Sequence, residues 1–238
     1  FKIESYLTEH EKNVDYNYSE SGVHPIKIGD FFELAGRDLA EISNIEMDYP
    51  NVRGKVELRE KIASLYPDAN LNNVLTTIGA SEANYLIAET ILKPGDELIA
   101  LQPAYMQLPG NAQNNGITLK TVELIEAQNW ALNTDQLMAT VNSNTKIISI
   151  INPHNPTGHI LTQTEVNAII KAASSVGAWI VADEVYAGTE RGDTPRTPSF
   201  WGQYDRVIAV NSMSKAYGMP GLRIGWIVAP EELMPQFQ

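Results

Sequence analysis

Between Asn73 and Ala229 the chain alternates short apolar runs with stretches of helical periodicity, and no other feature constrains its fold as tightly. The apolar runs are "NVLTTI" from Asn73, "DELIALQ" from Asp96, "TKIISII" from Thr145, "AWIVAD" from Ala178, "RVIAVN" from Arg206 and "RIGWIVA" from Arg223. Strands separated by helices pair in parallel, so the pattern predicts an α/β fold. After the first run, Ala83, Leu86, Ile87, Thr90 and Ile91 recur at the spacing of one helix face, and "KPGD" stops the helix. Thr162 and Glu165 form a capping box ahead of a buried stripe of Val166, Ile169, Ile170 and Ala173, with Gly177 as the C-cap. Residues 1–40 read as polar and irregular, with "DYNYSESGVHP" as loop.

The 238 residues, 43% hydrophobic and 19% charged, suit one large domain, or one large and one small. Cysteine is absent, which removes disulfides and thiolate metal sites and fits a reducing compartment. His10, His24, His154 and His159 have no ligand spacing, so no metal site is expected. The net charge of −12 weighs against nucleic acid and anionic membranes as partners but leaves room for a small phosphorylated ligand. No apolar run is long enough to span a bilayer, and the start lacks a charged-then-apolar signal pattern. A soluble, cytoplasmic protein is the expectation.

In open α/β sheets ligands bind beyond the carboxyl ends of the strands, and here those ends are chemically unusual. "GASEA" (Gly79–Ala83) opens a helix, where the backbone N–H groups of Ala80 and Ser81 would face an anion; alone it also reads as a tight connection. "QPAYMQ" puts Tyr105 after a strand, either at a site or as a half-buried aromatic. "INPHNPTGHIL" (Ile151–Leu161) is richer than a turn requires, and the proline after Asn155 restricts that residue so that its side chain can be aimed. "VADEVYAG" places Asp183, Glu184 and Tyr186 after an apolar strand, where an acidic pair needs a cation or a metal. Finally, "VNSMSKAYGMPGLRIGW" surrounds Lys215 with Ser212, Ser214, Arg223 and glycines. The order is not that of a P-loop, and it suggests an anionic ligand group held beside an amine.

Together these motifs, in the forms NPxNPTG, DExY and SxSKxxGxxGxRxG, resemble those of the class I/II aminotransferases, the fold-type-I pyridoxal-phosphate enzymes. The likeness runs in family order from "YPNVRG" at Tyr49 to "GLRIGW" at Trp226. It implies a large domain over residues 41–238 with a mostly parallel seven-stranded sheet and helices on both faces. Residues 1–40 would be an N-terminal arm or part of a small domain.

The cofactor implied is pyridoxal 5′-phosphate, joined as a Schiff base to Lys215, which would then shuttle the substrate proton. Asp183 would bind the pyridine nitrogen, Tyr186 and Asn155 the phenolic oxygen, and Tyr105 would stack on the ring. Ala80, Ser81, Ser212 and Arg223 would hold the phosphate, with Ser214 adding to them. Tyr49 matches a residue that reaches the phosphate of a neighbouring subunit, which implies a homodimer.

The reaction implied is transfer of an amino group from an amino acid to a 2-oxo acid. Its runner-up is elimination, cyclisation or oxidation of an amino acid on the same cofactor. "DEVY" favours transfer, because C–S lyase relatives more often read DEIH there. "YSESGVHP" resembles capreomycidine-synthase-like members, which cyclise an arginine derivative. A third class, the aminotransferase-like sensor half of some transcription regulators, would carry a DNA-binding domain upstream, which the acidic start does not resemble. The chain stops at "PEELMPQFQ", so the resemblance also implies that a C-terminal small domain with a carboxylate-gripping arginine is missing, as in a fragment. Arg191 and Arg196 read either as contacts for an acidic substrate or as solvated loop charges.

Overall fold

The computed structural model describes residues 2–237. Its strands are β1 (Val74–Ile78), β2 (Glu97–Gln102), β3 (Thr118–Ile125), β4 (Ala131–Leu132), β5 (Thr145–Ile151), β6 (Trp179–Asp183), β7 (Val207–Ser212) and β8 (Ile224–Val228). They form one sheet in the order β1-β8-β7-β6-β5-β2-β3-β4. β2, β3, β5, β6 and β7 pair in parallel; β8 is antiparallel to both β1 and β7, and β4 is antiparallel to β3. The sheet thus has eight strands rather than seven, because the two-residue β4 extends its far edge.

The helices are α1 (Lys2–His10), α2 (Ile28–Leu34), α3 (Val56–Ala63), α4 (Gly79–Ile91), α5 (Gln107–Asn114), α6 (Thr134–Thr140) and α7 (Gln163–Val176). Alternate strand residues face opposite sides, so each face of the sheet needs its own cover. Leu98, Ala100, Ile147, Val181 and Ile208 pack with Ala83 and Ile87 of α4 on one face. Ile99, Leu101, Ile148, Ile150, Ile180 and Ala182 pack with Val166 and Ile169 of α7 on the other. A smaller cluster joins Ile62 and Ala63 of α3 to Trp226, whose indole N–H donates to the Tyr66 hydroxyl at 2.9 Å.

Two expectations need correction. Residues 1–40 are not wholly irregular, since α1 and α2 form there. β3 and β4 were absent from the expected strands: "TLKTVELI" carries few apolar residues because it lies next to the sheet edge and buries mainly Val122 and Leu124.

The α7 cap forms as its sequence implies. The Thr162 hydroxyl accepts from the Glu165 N–H at 3.3 Å, Glu165 accepts from the Thr162 N–H at 2.7 Å, and Gly177 takes the left-handed conformation at φ 70°. Glu165 also accepts from the Leu132 N–H at 2.6 Å, and His159 Nε2 lies 3.1 Å from it. The capping carboxylate therefore ties α7 to β4 and to the turn after β5. Thr162→Ala should cost about 1 kcal/mol, the usual loss of an N-cap hydroxyl. Glu165→Ala should cost about 2 kcal/mol or more, because it also strands a buried N–H. Urea denaturation checks both, and equal losses would show that the ties to β4 and His159 contribute nothing.

Candidate active site

Strand parity places the functional side chains. Val181 faces the α4 side, so Asp183, two residues on, faces it too; Val210 and Ser212 repeat the relation on β7. α4 starts directly after β1, so its first residues, Ala80 and Ser81, lie beside these strand ends. The result is a cavity of about 790 Å³. Lys215, Asp183, Tyr186, Asn155, Tyr105, Ala80, Ser81, Ser212, Ser214 and Arg223 all line it. Tyr49 does not: it is 97% exposed, outside the cavity.

The acidic pair after β6 is split. Glu184 turns away from the cavity, and its carboxylate accepts from the Ser199 hydroxyl and the Phe200 N–H, both at 2.8 Å. Its role in the fold is to anchor the following loop, and burial pushes its carboxyl up to about 7. Asp183 accepts from the Val185 N–H at 3.2 Å and joins none of the ion pairs among the described residues. Desolvation raises its carboxyl to about 6, opposed only by that N–H.

On the anion side, glycine brings two elements into contact. A Cβ on Gly225 of β8 would strike the backbone of Gly79 and Ala80, and one on Gly79, at φ 71°, would strike the Arg223 guanidinium. Only glycine at both positions lets Arg223 lie against the N-terminus of α4. Arg223 Nη1 donates to the Pro220 carbonyl at 2.9 Å, and the Ser214 N–H donates to the Ser212 hydroxyl at 3.2 Å.

The "NPHNPTG" turn divides its labour. Asn155 Nδ2 donates to the Tyr186 hydroxyl at 3.1 Å. Asn152 accepts from the Leu161 N–H at 3.0 Å, and His154 Nδ1 lies 2.9 Å from the Thr157 hydroxyl. Both Asn-Pro bonds are cis. Burial takes His154 down to about 4, so it stays neutral.

Sequence reasoning missed the fourth wall, made by the first residues of the chain. Lys215 Nζ donates to Glu20 Oε1 at 3.2 Å and to the Ser21 hydroxyl at 3.3 Å, and Ser21 Oγ lies 2.7 Å from the Tyr186 hydroxyl. The Tyr105 hydroxyl donates to Glu4 at 2.9 Å, and burial followed by the acceptor raises its phenol. These contacts join residues far apart in the chain, and no local pattern marks them. Arg191 and Arg196 lie exposed in the loop after β6 and do not line this cavity; the Arg196 charge acts instead on Glu184.

The residues present fit pyridoxal phosphate in two respects. Asp183 is a carboxylate raised by desolvation and in no ion pair among the described residues, as a pyridinium partner requires, and the two-glycine contact builds a cradle of N–H groups, hydroxyls and a guanidinium for an anion. No group of His, Asp or Glu among the described residues is arranged to hold a metal ion, and no helix among them is long and apolar enough to cross a membrane.

Comparison with known proteins agrees with this geometry. Residues 33–238 match the family model "Aminotransferase class I and II". The chain is 32% identical to capreomycidine synthase of Streptomyces vinaceus, over 98% of its own length and 60% of that protein. It is 31% identical to an aspartate aminotransferase of Streptomyces avermitilis, over 70% of this chain and 42% of that one. Among solved structures, a PLP-dependent aminotransferase from Streptococcus suis superposes with a TM-score of 0.92 at 30% identity, covering 100% of this chain and 64% of the other. The chain belongs to the class I and II aminotransferase family and has its fold. It spans less than two thirds of the length of these relatives.

The raised carboxyls set a pH dependence for the cofactor-free protein. An acid whose folded pKa lies above its unfolded value favours the folded state while protonated, so that contribution is lost as pH rises through the folded value. For Asp183 the loss falls between about 4 and about 6. Asp183→Asn should therefore match the parent at pH 4 and exceed it at pH 8 by on the order of 2 kcal/mol. Urea midpoints at the two pH values check this. An Asn variant less stable at pH 8 would show that Asp183 is already paired with a cation.

Proposed function

We propose that this chain contains the cofactor-binding domain of an enzyme that moves an amino group from an amino acid to a 2-oxo acid, with pyridoxal phosphate held through Lys215. The observation that carries the reading is the meeting of the Lys215 amine, the unpaired Asp183 carboxylate and the Arg223–α4 anion cradle in one cavity. Residues 41–238 would form this domain and residues 1–40 an arm across its cavity.

When bound, pyridoxal phosphate supplies an electron sink that makes the α-proton of an amino acid removable. The protein's own parts then divide as follows. Asp183 matches the positive ring nitrogen, a pairing that offsets the cost of desolvating both charges. Tyr186 and Asn155 would donate hydrogen bonds to the cofactor's phenolic oxygen. Tyr105 would cover the ring and keep water out. Ala80, Ser81, Ser212 and Arg223 would anchor the phosphate, with Ser214 nearby. Lys215 Nζ would take the proton from the substrate α-carbon, and its fixed position would be the catalytic gain.

The exposure of Tyr49, beside exposed Ile45, Met47 and Val52, supports a homodimer in which Tyr49 reaches the neighbouring subunit's phosphate. The lack of cysteine supports a cytoplasmic setting.

A second reading, cyclisation of the amino acid, is favoured by one observation. The family model begins at residue 33, whereas the similarity to capreomycidine synthase covers 98% of the chain and so reaches into the arm that contacts Lys215. Two measurements separate the readings. Incubation with pyridoxal phosphate and borohydride should fix the cofactor on the Lys215 peptide, seen by mass spectrometry, and Lys215→Ala should abolish the adduct; an adduct on another lysine would remove the assignment. The full-length protein, given an amino acid and a 2-oxo acid, should form the new amino acid. Ammonia or a cyclised product in its place would establish the second reading.

A further inference from the structure

This inference rests on the reading of the cavity as an amino-acid site and concerns which amino acid enters it. The charged residues lining the cavity are Glu4, Glu11, Glu20, Asp183, Lys215 and Arg223. Three of these would be engaged by the cofactor on that reading: Asp183 by its ring nitrogen, Arg223 by its phosphate and Lys215 by its aldehyde. What remains is Glu4, Glu11 and Glu20, all carboxylates and all on the N-terminal arm.

Glu20 already shows what it accepts. Its Oε1 takes the Gly22 N–H at 2.6 Å, which fixes the carboxylate, and the Lys215 ammonium sits on the same oxygen at 3.2 Å. Against the desolvation that burial imposes, the Gly22 N–H and the Lys215 charge hold this carboxyl below the usual range. Glu20 loses this ammonium partner once Lys215 Nζ is engaged, because an amine joined to the cofactor or acting as a base is no longer a free ammonium. Glu20 is then left facing the cavity with no ion-pair partner among the described residues. Glu4 stands on the same wall, its carboxylate oriented by the Tyr105 hydroxyl. An incoming anionic side chain meets like charge from all three, whereas a cationic one replaces what Glu20 has lost.

We propose that the N-terminal arm makes this site select an amino acid with a cationic side chain, an ammonium or a guanidinium, with Glu20 as its direct partner and Glu4 and Glu11 along its approach. The arm is thus a specificity element, and side-chain charge rather than size is what it reads.

The test is calorimetric binding to the cofactor-loaded protein at low ionic strength, with two matched pairs: L-lysine against L-norleucine, and L-arginine against L-citrulline. At least one cation should bind about tenfold or more tightly than its neutral counterpart, as expected of a partly desolvated charge pair. Added salt should narrow the ratio. Glu20→Gln should bring the ratio close to one and Glu4→Gln should lower it, with circular dichroism confirming the fold of each. Glu46→Gln, whose carboxylate lies outside the cavity lining, should leave it intact. Neutral members binding as tightly as the cations in both pairs, no detectable binding of either cation, or a ratio unchanged in Glu20→Gln would overturn the proposal. A protein that prefers the cation yet forms no new amino acid from a 2-oxo acid would overturn the transfer reading and leave this one standing. Transfer from norleucine as readily as from lysine would do the reverse.

Discussion

A partly buried carboxylate at the end of a central strand needs a positive charge, and Asp183 joins no ion pair among the described residues. The surrounding structure makes this tolerable and useful. β6 lies between β5 and β7, so the Asp183 backbone is fixed on both sides by ladder pairs with Ile151 and Val210. That fixed backbone presents the side chain at the wall of the cavity. An unmet charge demand at a rigid position suits a cationic ligand. Glu184 shows the alternative, since its neighbouring carboxylate is met by a hydroxyl and a backbone N–H and serves only to hold a loop.

The sheet turns that demand into a site by arranging what lies around it. Parallel pairing of β5, β6 and β7 brings their carboxyl ends, and the residues that follow, to one edge. β8 runs antiparallel beside β7 and carries Gly225 past the start of α4, so that Arg223 arrives at the N-terminus of that helix. Two glycines therefore do for the anion end what strand parity does for Asp183.

Much of this was legible in the sequence because it is local. Five strand ends carry polar or aromatic residues that a mere turn does not need, and those given a cofactor role line the cavity, whereas Glu184 turns away from it. Tyr49 rests on resemblance alone and lies outside it, 97% exposed. β4 escaped notice because two residues have no periodicity, and β3 because a strand near the sheet edge needs few apolar positions. Glu4, Glu20 and Ser21 escaped for a different reason. Their contacts with Tyr105, Lys215 and Tyr186 span most of the chain, and "YSESG" carries no pattern that a loop would lack. The arm falls largely before the family match at residue 33, which is where a family shared by many substrates would be expected to vary.

Whether Asp183, Lys215 and the Arg223–α4 cradle form one cofactor site can be decided by a crystal structure of the chain grown with pyridoxal phosphate. Continuous density from Lys215 Nζ is expected, with the ring nitrogen within hydrogen-bonding distance of the Asp183 carboxylate and the phosphate against Ala80, Ser81, Ser212 and Arg223. Density on a different lysine, or a phosphate held anywhere but at the start of α4, would contradict that arrangement.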